Sequence, residues 1–217
     1  MSAAGPAPPA VIVIAKEPLP GRCKTRLCPP LAPSEAADLA EAALADTLAT
    51  VAAAPARRRL LALEGRPGPW LPPGFDVVAQ PRGDLGARLA AAFRSAGGPA
   101  LLIGMDTPQV SVAALASAAA ELMRDDVDAV LGPADDGGYW AIGLRRPSGA
   151  EFAGVPMSSP FTAGAQRRRL WDLGLRWVEL GAMRDVDAFT DAVRVAEMCP
   201  KSRFARALAA LRWDAAA

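Results

Sequence analysis

Apolar residues along this chain fall into two kinds of pattern, short continuous runs and longer stretches with helical spacing. Val11–Ile14 is a run of β-branched apolar residues, which predicts a central strand covered on both faces. Pro18, Pro20 and Gly21 then stop regular structure and stiffen a loop. Pro29–Pro33 is a second breaker. Ser34 is a candidate N-cap for a helix to about Ala54, with Leu39, Leu44, Leu48 and Val51 as its stripe. Arg57–Leu63 predicts a second strand and Phe75–Ala79 a third, separated by the Pro/Gly/Trp stretch Gly65–Gly74. Asp84 opens a helix to about Arg94. Ala100–Gly104 predicts a fourth strand and Ser111–Met123 a helix. Ala129–Leu131 and Trp140–Leu144 predict two strands joined by a Gly-rich turn. After the turn Arg145–Ala150 and the loop Pro156–Phe161 come a helix Thr162–Leu173 and a strand Arg176–Leu180. Two closing helices, Phe189–Met198 and Ser202–Trp213, are split by Pro200.

Strands alternating with helices at this spacing predict an α/β fold, with a mostly parallel sheet covered by helices on both faces. The tight strand pair around Asp135–Gly138 adds an antiparallel element. No linker divides the chain and no repeat is visible, so residues 10–217 read as a single domain after a Pro/Ala/Gly-rich lead, residues 1–9. That lead has neither the basic start nor the apolar core of a signal peptide.

Composition narrows the chemistry. With 52% hydrophobic and 22% charged residues the chain reads as globular, and no apolar run approaches the roughly 20 residues that span a bilayer. The net charge of +1 argues against a nucleic-acid surface. Three cysteines, Cys23, Cys28 and Cys199, have no metal spacing; reduced thiols in the cytoplasm are the expectation. There is no histidine, which removes Ser-His-Asp and Cys-His machinery and His-based zinc sites. Catalysis is left to carboxylates, Lys, Arg, hydroxyls, backbone amides or a metal held by oxygen, and oxygen ligands suit Mg²⁺ or Mn²⁺.

Five stretches would lie beyond the carboxyl ends of strands, where open α/β sheets bind ligands. The first is the loop Lys16–Arg26, with Lys16, Arg22, Lys24 and Arg26. It holds two of the chain's three lysines, in a sequence where arginine is the default cation. A cationic loop after a first strand is a phosphate site or an ordinary solvated loop. Asp106, in Gly104–Pro108, suits a divalent cation or caps the helix at Ser111. Asp185 and Asp187 flank Val186, so an extended segment points both carboxylates the same way; they complete a metal shell or cap the helix at Phe189. Asp135–Gly138 is a ligand-contacting turn, a hairpin turn, or both. Gln80, Gly83 and Asp84 face the same cleft or form a plain helix cap. Arg167–Arg169 reads as a solvated helix face with one arginine turned inward, and Cys23 and Cys28 lack a base that would activate them. A cationic loop and a carboxylate-held cation together suit substitution at phosphorus, or at a sugar carbon bearing a diphosphate.

The ordered motifs A-K-E-P-L-P-G-R-C-K-T-R-L (Ala15–Leu27), G-D-L-G-A-R-L (Gly83–Leu89), G-M-D-T-P (Gly104–Pro108), G-P-A-D-D-G-G-Y (Gly132–Tyr139) and D-V-D (Asp185–Asp187) resemble the bacterial DUF2064 family. That family is also labelled rSAM/selenodomain-associated transferase 1 or arsenosugar-biosynthesis glycosyltransferase. After D-V-D the family's usual Thr-Pro is here Ala188-Phe189. The K-T-R-L element is also similar to that of the 2-phospholactate and phosphoenolpyruvate guanylyltransferases. The resemblance implies the glycosyltransferase-A, nucleotide-diphospho-sugar transferase fold, a three-layer α/β/α sandwich with a mostly parallel, Rossmann-like sheet. It implies nucleotide and phosphate binding by Ala15, Lys16, Gly21, Arg22, Lys24, Thr25 and Arg26, with Gln80, Gly83 and Asp84 alongside. It implies Mg²⁺ or Mn²⁺ on Asp106 and Asp187, and an acceptor side at Gly137, Gly138 and Tyr139. Lys24, Asp106 and Asp136 are the candidate catalytic residues.

The expected activity is a transferase using a nucleotide, an NTP or a nucleotide sugar, and a small-molecule acceptor, as monomer or homodimer, without nucleic-acid or membrane partners. Nucleotidyl transfer with release of pyrophosphate comes first, because a triphosphate needs many cations. Glycosyl transfer from a nucleotide sugar, with Asp136 as acceptor base, is the alternative. A non-catalytic nucleotide-binding protein is the third.

Overall fold

The computed structural model describes residues 7–211. The expected lead falls mostly outside these residues, as does the end of the last helix at Trp213. Pro9 is already buried, and its carbonyl accepts the Arg57 N–H at 3.3 Å.

Seven strands form one sheet: β1 (Ala10–Lys16), β2 (Arg59–Glu64), β3 (Asp76–Ala79), β4 (Ala100–Gly104), β5 (Ala129–Pro133), β6 (Tyr139–Leu144) and β7 (Trp177–Glu179). Their order is β3-β2-β1-β4-β6-β5-β7. All neighbours are parallel except β6, which runs antiparallel to both β4 and β5. The expected antiparallel pair is therefore present, but its second strand inserts into the middle of the sheet. This carries Tyr139 and Trp140, at the start of β6, to the end where β1 and β4 finish.

The described residues form six helices: α1 (Pro33–Ala53), α2 (Leu85–Ala96), α3 (Val112–Leu122) and α4 (Thr162–Asp172), with α5 (Phe189–Met198) and α6 (Arg203–Ala210) packed outside α1. The two faces of β1 sort its side chains as period-2 alternation requires. Val11, Val13 and Ala15 join the core under α1 and α3, whereas Ala10 and Ile12 join the core under α2. This is the α/β/α layering the sequence predicts. The helix α1 is buried on two sides. Ala37, Ala40, Leu44, Leu48 and Val51 face the sheet, while Ala36, Leu39 and Ala43 join a third cluster with Phe204 and Leu208 of α6. Alanines at these positions let helices approach closely on both sides.

Local start signals differ from the expectation in one place. Ser34 does not cap α1; the cap position is Ala32, Pro33 is the first helical residue, and Glu35 accepts the Ala32 N–H at 2.7 Å. Proline is pre-shaped for that position, and an acidic side chain two residues on satisfies a free backbone donor. The cationic loop is also less irregular than its prolines suggest, because Thr25–Leu27 forms a 3-10 turn.

Candidate active site

The chain reverses direction across the sheet at β1. From β1 it moves through α1 to β2 and β3, then returns through α2, on the opposite face, to β4. A crevice opens where such paths diverge, beyond the carboxyl ends of β1 and β4. A cleft of about 530 Å³ occupies this place. Its floor comes from Ile14 and Ala15 of β1, Leu102 and Gly104 of β4, and Tyr139 and Trp140 of β6. One wall is the loop from Arg22 to Arg26; another is Leu85, Arg88 and Leu89 of α2. Asp106 and Asp187 complete it.

Lys24 is the centre of this arrangement. Its backbone adopts the left-handed region at φ 49°, costly for a residue with a Cβ and maintained only where surroundings enforce it. Its side chain is 11% exposed; its Nζ lies 2.8 Å from an Asp106 carboxylate oxygen and also donates to the Val186 carbonyl. One ammonium thus joins the loop, the end of β4 and the D-V-D segment. The Val186 N–H in turn donates to the Asp106 carbonyl at 2.9 Å, and the Val186 side chain is buried in the third cluster. Alternation then sets Asp185 and Asp187 off from the buried Val186. Asp187 lines the cleft and pairs with Arg26.

Neither acidic candidate is a helix cap. Ser111 caps α3, accepting the Ala114 N–H at 3.1 Å, which leaves Asp106 free of that duty. Asp191 satisfies the Ala188 N–H at the start of α5 at 2.9 Å, so Asp185 and Asp187 are free of it as well. Burial first, then the Asp136 charge, pushes the Asp185 carboxyl up to about 6, with Asp106 adding to the rise and Lys24 opposing it. Asp106 and Asp136 thus lie close enough to Asp185 for their charges to add to that rise. Among the described residues no three Asp, Glu, Cys or His side chains form a metal cage by themselves. Mg²⁺ is usually held by one or two carboxylates plus substrate phosphate oxygens, so Asp106 and Asp187 in an open cleft fit that ion.

The remaining candidates divide. Lys16 lies 3.7 Å from Glu64, and Arg22 lines the cleft with no carboxylate within ion-pair distance among the described residues. Thr25 also lines the cleft, whereas Gly21, at φ 70°, shapes the turn before it. Gln80 is in the cleft, but its amide nitrogen is spent on the Ala15 and Ala62 carbonyls at 2.8 and 2.9 Å. Gly83 and Asp84 are not in its wall. Asp84 caps α2 through the Ala87 N–H at 2.8 Å, the plain-cap alternative. Asp136, Gly137 and Gly138 are also outside the cleft wall: Asp136 accepts the Gly138 N–H at 2.7 Å, and Gly137 packs on Pro160. Tyr139 does line it, and burial raises its phenol well above the usual range. Of Arg167–Arg169, two pair with Glu179 and Asp172, and Arg169 turns inward to the Ala150 carbonyl at 2.8 Å.

Sequence reading did not single out Arg88, which lines the cleft, or Glu64 behind it. Arg88 donates to Glu64, to the Gly83 carbonyl at 3.1 Å and to Gln80 at 3.5 Å. The signal was one helical turn beyond the Asp84 cap, where i+4 spacing returns a side chain to the same face. Glu64, at the end of β2, sits between Arg88 and Lys16 because parallel register sets Lys16 opposite Glu64.

Among solved structures, a Desulfovibrio desulfuricans protein classed as a nucleotide-diphospho-sugar transferase is 26% identical, with a TM-score of 0.83 over 92% of this chain and 93% of that one. A nucleotidyl transferase from Methanothermobacter is 17% identical, TM-score 0.58, over 93% and 99% of the two chains. Rv0371c of Mycobacterium tuberculosis, in complex with manganese, is 20% identical, TM-score 0.52, over 88% and 98%. The fold is thus that of nucleotidyl and nucleotide-diphospho-sugar transferases. No curated protein matches the chain. The sequence model of the family described as "Uncharacterized protein conserved in bacteria (DUF2064)" matches residues 37–159, more than half of the length, and the chain belongs to that family.

Proposed function

We propose that this protein is a metal-dependent nucleotidyltransferase, joining an NTP to a small phosphorylated or carboxylated acceptor and releasing pyrophosphate. The observation that carries it is the strapping of a four-cation loop over the crevice between β1 and β4, with Lys24 seated against Asp106. Lys16, Arg22 and Arg26 hold the phosphate oxygens. Lys24 fixes the loop against Asp106 and presents its positive charge to the same space. Asp106 and Asp187 hold Mg²⁺ or Mn²⁺, which neutralises charge on the phosphates when bound. Tyr139 and Trp140 form the acceptor end, and the hairpin turn Asp136–Gly138 supports Tyr139 from behind. Catalysis is by positioning and charge stabilisation, which needs no histidine.

Glycosyl transfer from a nucleotide sugar is the second reading. It is favoured by the Desulfovibrio relative, the nucleotide-diphospho-sugar transferase that aligns over nearly the whole chain. The released product separates the two: pyrophosphate for the first, nucleoside diphosphate for the second. Thermal-shift measurements with the four NTPs and common nucleotide sugars, with and without Mg²⁺ or Mn²⁺, test both. A ligand at a hundred times its Kd stabilises by about 2.7 kcal/mol. At least one nucleotide is expected to stabilise the chain, and more so with metal. No stabilisation by any of them would sink both readings.

A further inference from the structure

The two cations of K-T-R-L are held in different ways. Lys24 has two acceptors from two separate segments and is 11% exposed. Arg26 has a single carboxylate partner, Asp187, and is 74% exposed. The residue after Arg26, Leu27, is fully buried in the third cluster, so the Arg26 backbone is fixed while its side chain is free to turn. Both Arg26 and Asp187 line the cleft. As it stands, the guanidinium that would grip a phosphate and the carboxylate that would grip a cation neutralise each other.

We infer that Arg26 is a swinging counter-ion, parked on Asp187 until substrate arrives and transferred to a substrate phosphate when Asp187 turns to a cation, whereas Lys24 is a fixed strut. This rests on the reading of the cleft as a metal–nucleotide site. The exchange keeps charge paired in both states: Arg26 leaves one anion for another, and Asp187 leaves one cation for another. It makes anion and cation binding cooperative, since each releases the partner the other needs. The parked pair is weak enough to exchange, because exposed ion pairs hold by no more than about 1 kcal/mol, a roughly fivefold effect on an equilibrium.

The test is calorimetric titration of inorganic tripolyphosphate at fixed ionic strength, with and without Mg²⁺, on the full chain and on Asp187→Asn, Arg26→Gln and the double variant. Without metal, Asp187→Asn is expected to bind tripolyphosphate about two- to fivefold tighter than the wild type, because Arg26 is already released. The same substitution in the Arg26→Gln background is expected to give no gain. With Mg²⁺, Asp187→Asn is expected to lose most of the tightening that the metal confers on the wild type. Asp187→Ser repeats the cycle should the asparagine variant fail to fold. An equal gain in both backgrounds would mean a general field effect and overturn the exchange, as would no gain in either. Failure of the wild type to bind tripolyphosphate with or without Mg²⁺ would instead overturn the site reading itself, and this inference with it.

Discussion

Glu64 illustrates how one side chain acquires its role from neighbours it cannot see in sequence. Burial alone would raise its carboxyl, but the Arg88 hydrogen bond and the charges of Lys16, Arg88 and Arg22 hold it below the ordinary glutamate value. A carboxylate with a depressed folded-state pKa stabilises the fold above its ordinary value and loses that contribution as pH falls through the folded value. Unfolding free energies of the wild type and Glu64→Gln are therefore expected to differ most near pH 7 and to converge in acid. The gap should stay under about 1 kcal/mol, since more than a third of the side chain meets solvent. A gap that widens on acidification would contradict the assignment. Residue identity was a fair guide where chemistry is intrinsic. Lys16, Arg22, Lys24, Arg26, Asp106 and Asp187 were all legible as charged groups at strand ends, and all six line the cleft. Asp84 and Asp136 looked equivalent to them in sequence, yet each spends an oxygen on a nearby backbone N–H. Short-range capping engages such side chains locally, and the tertiary fold sets Asp84 and Asp136 outside the cleft wall.

The hairpin of β5 and β6 is the element that brings Tyr139 and Trp140 to the cleft. Gly137 turns it at φ 87°, and a Cβ there would lie 2.1 Å from the Pro160 carbonyl oxygen. Gly137→Ala is expected to cost at least about 2 kcal/mol and to disturb Tyr139, because both the backbone region and the contact forbid the methyl. Gly154 offers an internal comparison: its φ is 75°, but a Cβ there would meet nothing within 4 Å. Gly154→Ala should cost only about 1 kcal/mol, the backbone share alone. Equal costs in chemical denaturation would show that the Pro160 contact does not matter. The Asp-Gly turn was plain in the sequence, as were the two strands. Their place was not, since a hairpin pattern carries no information on which of its strands pairs with β4.

A single apolar cluster ties the distant parts of the molecule together. Leu27 and Leu31, just after the cationic loop, Leu39 of α1, Val186 of the acidic segment and Phe204 of α6 all belong to it. The closing helices therefore bear on the two halves of the cleft, although neither contributes a lining residue. Phe204→Ala is expected to cost about 3–5 kcal/mol. It should also speed hydrogen exchange at residues 24–28 and 185–187, by loosening the packing under both. Faster exchange confined to α5 and α6 would refute that link.

The order of strands and helices, the cationic loop and the exclusion of histidine-based chemistry follow from the amino-acid string. Each depends on local periodicity, turn residues or the mere absence of histidine. The pairings that make the cleft do not. Lys24 meets Val186 across 162 residues and Arg26 meets Asp187 across 161. Gln80 clips β1 across 65. Side chains so far apart along the chain are brought together by burial of the sheet and of the third cluster, a sum over many weak apolar contacts that no short stretch encodes. That sum decided which cation is buried against two acceptors, which stays exposed, and which carboxylates face the crevice.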